Sequence, residues 1–108
     1  MIHSMTSLNG KTALVTGSSK GIGKAIAIAF GAAGANVITT GRTSQEIEKV
    51  TNLIVNSGGT AIGVIADLGI ESEINRLVET AELEFNGVDI LVNNAAIIHP
   101  RITVKDFD

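Results

Sequence analysis

The stretch Thr16-Gly17-Ser18-Ser19-Lys20-Gly21-Ile22-Gly23 decides the fold of this chain. An apolar run, Thr12-Ala13-Leu14-Val15, precedes it, and an amphipathic stretch begins at Ile22. A strand that turns tightly through three glycines into a helix leaves backbone N–H groups free at the positive end of the helix dipole. This stretch, which we call the glycine loop, therefore predicts a site for a pyrophosphate group.

The composition limits the class of protein. Of 108 residues, 44% are hydrophobic but only 3% are aromatic, so Ala, Val, Ile and Leu dominate, as in buried parallel strands beneath helices. The net charge of −3 argues against a nucleic-acid partner, which a basic patch would favour. The chain has no Cys, which excludes disulfides and thiolate metal sites, and its two isolated His residues predict no metal centre.

The sequence also indicates where the protein resides. It contains no run of about eighteen apolar residues, so no membrane span or membrane partner is expected. The first residues lack the basic segment and apolar run of a signal peptide. We therefore expect a cytoplasmic protein, and the sequence leaves open whether Met1 or Met5 is the start.

Apolar spacing and turn residues predict alternating strands and helices downstream. The predicted strands are 11–16, 36–40, 61–65 and 88–93, and the predicted helices are about 21–33, 43–57 and 70–85. Gly34 is expected to end the first helix in a left-handed conformation. Thr43-Ser44-Gln45-Glu46 matches a capping box, in which Thr and Glu side chains each bond a backbone N–H of the first helical turn.

Each predicted helix has an apolar stripe that we expect to face the sheet. The expected buried residues are Ile22, Ala25, Ile26, Ala29 and Phe30 in the first helix, Ile47, Val50, Leu53 and Ile54 in the second, and Ile74, Leu77, Val78, Ala81 and Phe85 in the third.

The order β-α-β-α-β-α-β with short connections predicts a parallel α/β sheet. Right-handed crossovers would place the first two helices on one face of it. If the fourth strand returns beside the first, the third helix covers the other face and the strand order is 3-2-1-4. The point where that order reverses then lies beside the glycine loop, where such sheets bind ligands.

Three motifs together resemble the short-chain dehydrogenase/reductase family. Thr16 to Gly23 is similar to the family fingerprint TGxxxGxG, and Asp67-Leu68 resembles the segment whose acidic residue contacts the adenine ring. Asn93-Asn94-Ala95-Ala96 resembles the NNAG motif, with Ala96 where the family usually has Gly. The resemblance implies a lead-in over 1–10 and, over 11–108, a partial Rossmann-type NAD(P)-binding domain that is truncated before the later strands.

The residues after the second strand indicate which dinucleotide is bound. Enzymes that prefer NAD usually place a carboxylate there for the ribose 2′-hydroxyl, whereas this chain has Gly41-Arg42. A guanidinium can hold a 2′-phosphate bidentately, and Lys20 supplies a second positive charge. NADP is therefore expected in preference to NAD; the alternative is that both cations are ordinary surface charges.

The predicted cofactor-binding residues are Gly17, Ser19, Lys20, Gly21, Ile22, Gly23, Arg42, Asp67, Leu68, Asn93 and Ala95. Two alternatives stay open at this stage. The loop serines, Ser18 and Ser19, can bond a ligand or cap the following helix, and Asp67 can cap the third helix instead of contacting adenine.

The family resemblance implies hydride transfer assisted by Asn, Ser and Tyr-x-x-x-Lys. This chain has no Tyr and its last residue, Asp108, precedes the position of the family's fourth helix, so no catalytic residue is assigned. The 108-residue chain is accordingly expected to be inactive alone.

The leading hypothesis is an NADP(H)-dependent oxidoreductase, present as its cofactor-binding portion. Its substrate would be a small carbonyl or alcohol, such as a 3-oxoacyl thioester or another ketone, and the complete protein is expected to be a homo-oligomer. The alternatives are a non-catalytic dinucleotide-binding fragment or truncated gene product without turnover, and an interaction protein with a vestigial nucleotide site.

Overall fold

A computed structural model describes residues 7–94 as a four-stranded parallel sheet with three helices. The elements in chain order are β1 Thr12–Thr16, α1 Gly21–Ala32, β2 Asn36–Gly41, α2 Ser44–Asn56, β3 Thr60–Ile65, α3 Glu71–Phe85 and β4 Ile90–Val92. The strand order is β3-β2-β1-β4, so the predicted order 3-2-1-4 is confirmed.

Strand β1 lies in the middle of the sheet. Its residue Ala13 is in register with Val37 on one side and Ile90 on the other. All five residues of β1 are buried, as expected for a parallel strand with a neighbour on each edge and helices on both faces.

The two faces of the sheet have separate apolar cores, which show where each helix lies. One core contains Ala13, Val15, Ala27, Ala35, Val37 and Ile54, so α1 and α2 cover that face. The other contains Leu14, Ile38, Val64, Ala66, Leu77 and Ala81, so α3 covers the opposite face. This is the placement that right-handed crossovers predict.

The buried face of α1 differs from the predicted stripe. The buried residues are Gly23, Ala27 and Gly31, whereas Ile22 is 71% exposed and Ala25 and Ala29 are also exposed; Ile26 and Phe30 are half-buried. The smallest side chains face inward because the helix packs too closely for larger ones. A Cβ on Gly31 would lie 2.6 Å from Ile54 Cγ2 of α2.

The other two helices also expose part of their predicted stripes. Leu53 of α2 is 46% exposed, and in α3 the exposed fractions are 38% for Ile74 and 48% for Val78. Helix α3 is the only helix of residues 7–94 on its face of the sheet, so its flank has no neighbouring helix there. Only Leu77 and Ala81 of its stripe are therefore buried, with Phe85 half-buried.

The predicted capping box at the start of α2 is wrong. Thr43 is the N-cap residue and is extended, but its side chain makes no capping hydrogen bond. Glu46 Oε2 lies 3.7 Å from Lys20 Nζ in the glycine loop. The carboxylate therefore pairs with a full positive charge rather than with the helix's own N–H groups.

Two further expectations concern single positions or the chain as a whole. Gly34 has φ of +96° and follows the last turn of α1, so the left-handed end of that helix is confirmed. No helix in the described part of the chain is long and apolar enough to cross a membrane. The predictions at Met1, Met5, Ala95 and Ala96 fall outside the described residues.

Candidate nucleotide-binding site

The predicted site residues gather at one edge of the sheet. The glycine loop follows β1, Arg42 follows β2, Asp67 follows β3 and Asn93 follows β4. Because the strands are parallel, all four segments lie at the carboxyl edge. The glycine loop lies where the strand order reverses, between β4 and β2, the position at which open α/β sheets bind ligands.

The glycine loop adopts a backbone that excludes side chains. Gly17 and Gly21 have φ of +60° and +54°, a region that L-residues rarely adopt. A Cβ on Gly23 would lie 2.2 Å from the carbonyl oxygen of Gly17 and 2.6 Å from Asn94 Nδ2. The loop therefore lies directly against the first turn of α1, with no room for a methyl group.

The first turn of α1 supplies unbonded N–H groups. Its N-cap residue, Lys20, is extended and makes no side-chain capping bond, and Lys24 N–H makes the first helical bond, to the Lys20 carbonyl, at 3.1 Å. The N–H groups of Gly21, Ile22 and Gly23 precede that bond, and no side chain within residues 7–94 caps them. These donors and the helix dipole suit a phosphate group, so the residues present fit a dinucleotide.

Ser18 fastens the glycine loop to β2. Its side chain is fully buried, and its Oγ accepts a hydrogen bond from Thr40 N–H at 2.9 Å and lies 3.4 Å from the Thr40 carbonyl oxygen. The structure thus supports neither of the two alternatives for this serine. The buried Ser18 hydroxyl does not cap α1, and it holds the loop beside the strand that leads to Arg42.

Replacing Ser18 with alanine is expected to lower the free energy of unfolding by about 1–3 kcal/mol, because Thr40 N–H would be left buried without an acceptor. Urea denaturation would measure the change. Ser57→Ala is the matched control, because its hydroxyl bonds the Leu53 carbonyl at an exposed helix end. A loss no larger than that of the control would contradict the fastening role.

Thr16 joins the glycine loop to the segment after β4. Its hydroxyl lies 3.2 Å from the Val92 carbonyl oxygen and 3.1 Å from Asn93 Oδ1, and it accepts a hydrogen bond from Asn94 N–H at 2.7 Å. Two of the three sequence motifs are therefore in direct contact. Thr16 therefore holds the end of β1 beside the segment that follows β4.

Charged side chains lie on the β2 side of the loop. Arg42 is exposed, directly follows β2, and pairs with no carboxylate of the described residues. Lys20 is exposed as well, and its only ion pair within residues 7–94 is with Glu46. Both predicted cations are thus accessible from solvent at the same end of the sheet.

The segment after β3 is ordered by α3 side chains. Asp67 N–H donates to Glu73 Oε1 at 2.8 Å, and Asp67 Oδ1 accepts from Gly69 N–H at 2.9 Å. Arg76 donates to the Ile65 carbonyl and lies 3.7 Å from Glu73. Asp67 organises the loop before α3, but its carboxylate bonds Gly69, which precedes the N-cap residue Ile70, so Asp67 does not cap that helix.

The remaining predicted residues have varied surroundings. Ser19 is half-buried, and its Oγ lies 3.9 Å from the position of a Cβ on Gly41. Leu68 packs its side chain against the core beneath α3, whereas the exposed side chain of Ile22 lies beside the loop. Ala95 falls outside the described residues.

Besides Thr16 and Ser18, the predicted list omitted three residues that shape the site. Asn94 lies against Gly23 and Thr16, and its place in the quoted Asn-Asn motif was a usable signal. Glu46 and Glu73 contact Lys20 and Asp67 from helices, and these contacts depend on tertiary packing. No spacing rule in the sequence indicates them.

Comparison with known proteins agrees with this geometry. A family model described as short chain dehydrogenase matches residues 11–108. Hydroxysteroid dehydrogenase-like protein 2 of Mus musculus is 40% identical over 105 residues, covering 91% of this chain and 21% of that protein. A 3-oxoacyl-(acyl-carrier-protein) reductase of Synechocystis is 38% identical over 102 residues, covering 94% of this chain and 41% of the reductase.

Solved structures give the same result. A metagenomic short-chain oxidoreductase in complex with NADP superposes with a TM-score of 0.81 at 38% identity, covering 84% of this chain and 41% of that one. A hydroxysteroid dehydrogenase from Escherichia coli gives 0.82 at 36% identity, covering 96% and 43%. The chain thus spans less than half the length of these relatives. With its glycine loop, parallel sheet and matched family model, the chain belongs to the short chain dehydrogenase family.

Proposed function

We propose that the chain is the NADP(H)-binding portion of an oxidoreductase that acts on a carbonyl or alcohol. The observation that carries the proposal is the cradle at Gly23, where a backbone too close for a methyl group faces three uncapped helix N–H groups. Such a cradle accepts a pyrophosphate, and the position of the pyrophosphate determines where the other parts of the dinucleotide would lie.

The adenosine end would extend from the glycine loop toward β3. Strand β3 lies two strands from β1, which places Asp67 about 10 Å from the loop at the usual strand spacing. Ala66 N–H donates to the Gly41 carbonyl at 2.9 Å, which keeps the start of the Asp67 segment beside the end of β2. We assign Asp67 and the Leu68 backbone to the adenine ring, and Asn93 and Ala95 to the ribose side nearer β4.

The preference for NADP over NAD would come from Arg42 and Lys20. Both side chains are exposed, and the residue that directly follows β2 is a cation rather than the carboxylate that would accept from a ribose 2′-hydroxyl. A guanidinium at this position can bind a 2′-phosphate through two parallel hydrogen bonds. The NADP complex of the metagenomic relative supports this assignment for a chain of similar fold.

The bound cofactor would supply hydride transfer at its nicotinamide ring. This chain's residues would bind and orient the cofactor: the glycine loop at the pyrophosphate, the exposed Ile22 at the helical end of that loop, and the Asn93 segment that Thr16 holds beside β1. The relatives named as hydroxysteroid dehydrogenase and 3-oxoacyl reductase support a ketone or secondary alcohol as substrate. We further propose a cytoplasmic, homo-oligomeric complete protein.

A second candidate is a dinucleotide-binding chain without turnover. It is supported by the same geometry, because the cradle at Gly23 and the exposed Arg42 serve nucleotide binding alone. Both candidate functions include nucleotide binding, but only the oxidoreductase would reduce a ketone with NADPH.

The test is a fluorescence titration of the complete encoded protein with NADPH and NADH in parallel. The expected result is saturable binding of both, with NADPH bound about 10–100-fold more tightly, as one charge-assisted phosphate contact would give. Absence of binding would refute the nucleotide site, and equal affinities would refute the NADP preference. A turnover assay with a 3-oxoacyl thioester then separates the enzyme from the binding chain.

A further inference from the structure

Glu46 is the acidic side chain of residues 7–94 that pairs with Lys20, one of the two cations of the site. It belongs to the first turn of α2, and its Oε2 is 3.7 Å from Lys20 Nζ. The side chain of Lys20 is 77% exposed and that of Glu46 is 39% exposed. The ion pair therefore joins the glycine loop to the helix that follows Arg42.

The Lys20–Glu46 ion pair contributes little to the stability of the fold. Ion pairs this exposed contribute little to folding, because water and salt screen them. Glu46 does not cap α2 either, since the N-cap Thr43 has no reciprocal side-chain bond. Within residues 7–94 the carboxylate has Lys20 as its only ionic partner. The main effect of Glu46 is therefore the negative charge that its carboxylate places at this edge of the sheet.

We propose that Glu46 is a specificity-determining residue that weakens selection of NADP(H) over NAD(H). The inference rests on the proposed function, which places the 2′-phosphate between Arg42 and Lys20. The Glu46 carboxylate then competes with the phosphate for the Lys20 ammonium and repels the phosphate itself. NADH has no 2′-phosphate, so its affinity is unaffected by this carboxylate.

The sign of the effect follows from the charges. Binding of a 2′-phosphate with Glu46 ionised brings two anions to one ammonium group, whereas a glutamine leaves the ammonium to the phosphate alone. Glu46→Gln is therefore expected to tighten NADPH binding by about three- to tenfold at low salt. The gain is expected to shrink as ionic strength rises, because screening weakens both the attraction and the repulsion.

The experiment is titration of the complete protein and of two variants with NADPH and NADH, at low and at high salt. Glu48→Gln is the matched control, because Glu48 is exposed on the same helix and forms no ion pair with a described residue. The proposal requires a gain for NADPH in Glu46→Gln alone, with NADH changed less than about twofold.

Two results would overturn the proposal. One is weaker NADPH binding in Glu46→Gln, which would mean that the carboxylate positions Lys20 for the phosphate. The other is a change equal to that of Glu48→Gln, or equal for both nucleotides. If the unmodified protein prefers NADPH and only these results appear, the inference alone fails. If the unmodified protein binds neither nucleotide, the proposed function fails and the inference with it.

Discussion

Replacing Gly23 with alanine is expected to weaken binding of NADPH and NADH alike by about 100-fold or more. The new Cβ would lie 2.2 Å from the Gly17 carbonyl oxygen and 2.9 Å from the Gly17 carbonyl carbon. Those atoms are backbone, so the loop itself must move and its phosphate-binding N–H groups are displaced. Loss of two charge-assisted hydrogen bonds accounts for an effect of this size.

The same substitution is expected to lower the free energy of unfolding by about 1–3 kcal/mol, the usual cost of overpacking. Gly31→Ala is the control, because Gly31 lies in the same helix, α1, but at the end away from the glycine loop. Its new Cβ would lie 2.6 Å from Ile54 Cγ2 of α2. That variant is expected to lose stability while binding nucleotide normally. Nucleotide affinity that falls equally in both variants would show that Gly23 acts through stability alone.

Replacing Arg42 with alanine is expected to weaken NADPH binding by about 10–100-fold, while NADH binding changes by less than about twofold. The guanidinium is exposed at the end of β2 and has no described carboxylate partner, so its removal breaks no ion pair there. The loss is then confined to the 2′-phosphate contact. Parallel titrations with the two nucleotides measure it.

Lys49→Ala is the matched control for Arg42→Ala. Lys49 is an exposed cation on α2, in an open groove with Lys24 and Asn52 on the outer side of the helices. Its removal changes the net charge by the same amount, so a general electrostatic effect would appear in both variants. Equal losses in the two variants, or an equal loss of NADH and NADPH in Arg42→Ala, would contradict a phosphate contact at Arg42.

The sheet could be predicted because its signals are local. The buried run of β1, the glycine that ends α1 and the alternation of elements each follow from residues close together in sequence. Crossover handedness then fixed the helix faces, as the two apolar cores confirm. The strand order needed one assumption, the return of β4 beside β1, and that assumption is also confirmed.

The buried faces of the helices were predicted less well, because a large apolar side chain does not always occupy a buried position. In α1 the buried positions are held by Gly23, Ala27 and Gly31, whereas hydrophobic spacing predicts Ile22 instead. Close packing leaves room only for small residues at these positions, and the spacing of large apolar residues does not indicate where such positions lie. In α3 the stripe was predicted wider than the contact area that the described neighbours provide.

The site was predicted in its main-chain parts and missed in its side-chain contacts. Glycine spacing revealed the cradle because backbone conformation depends on residue type at fixed positions. The capping-box pattern was misleading at Glu46, whose carboxylate lies against a lysine of a different segment. The role of Ser18 also depends on a strand 22 residues away.

Under the proposed function, the hydrogen bonds of the threonine that ends β1 would make the completion of folding a condition for nucleotide binding. The hydrogen bonds of Thr16 to Asn93 and Asn94 join residues 77 and 78 positions apart, among the most distant contacts in the described chain. The contact between the glycine loop and the segment after β4 thus forms only after β4 has docked. By mass action, any ligand that requires this contact also shifts the equilibrium toward the docked strand. A nucleotide would therefore act here as a folding effector, with amide exchange in β4 slowing as it binds.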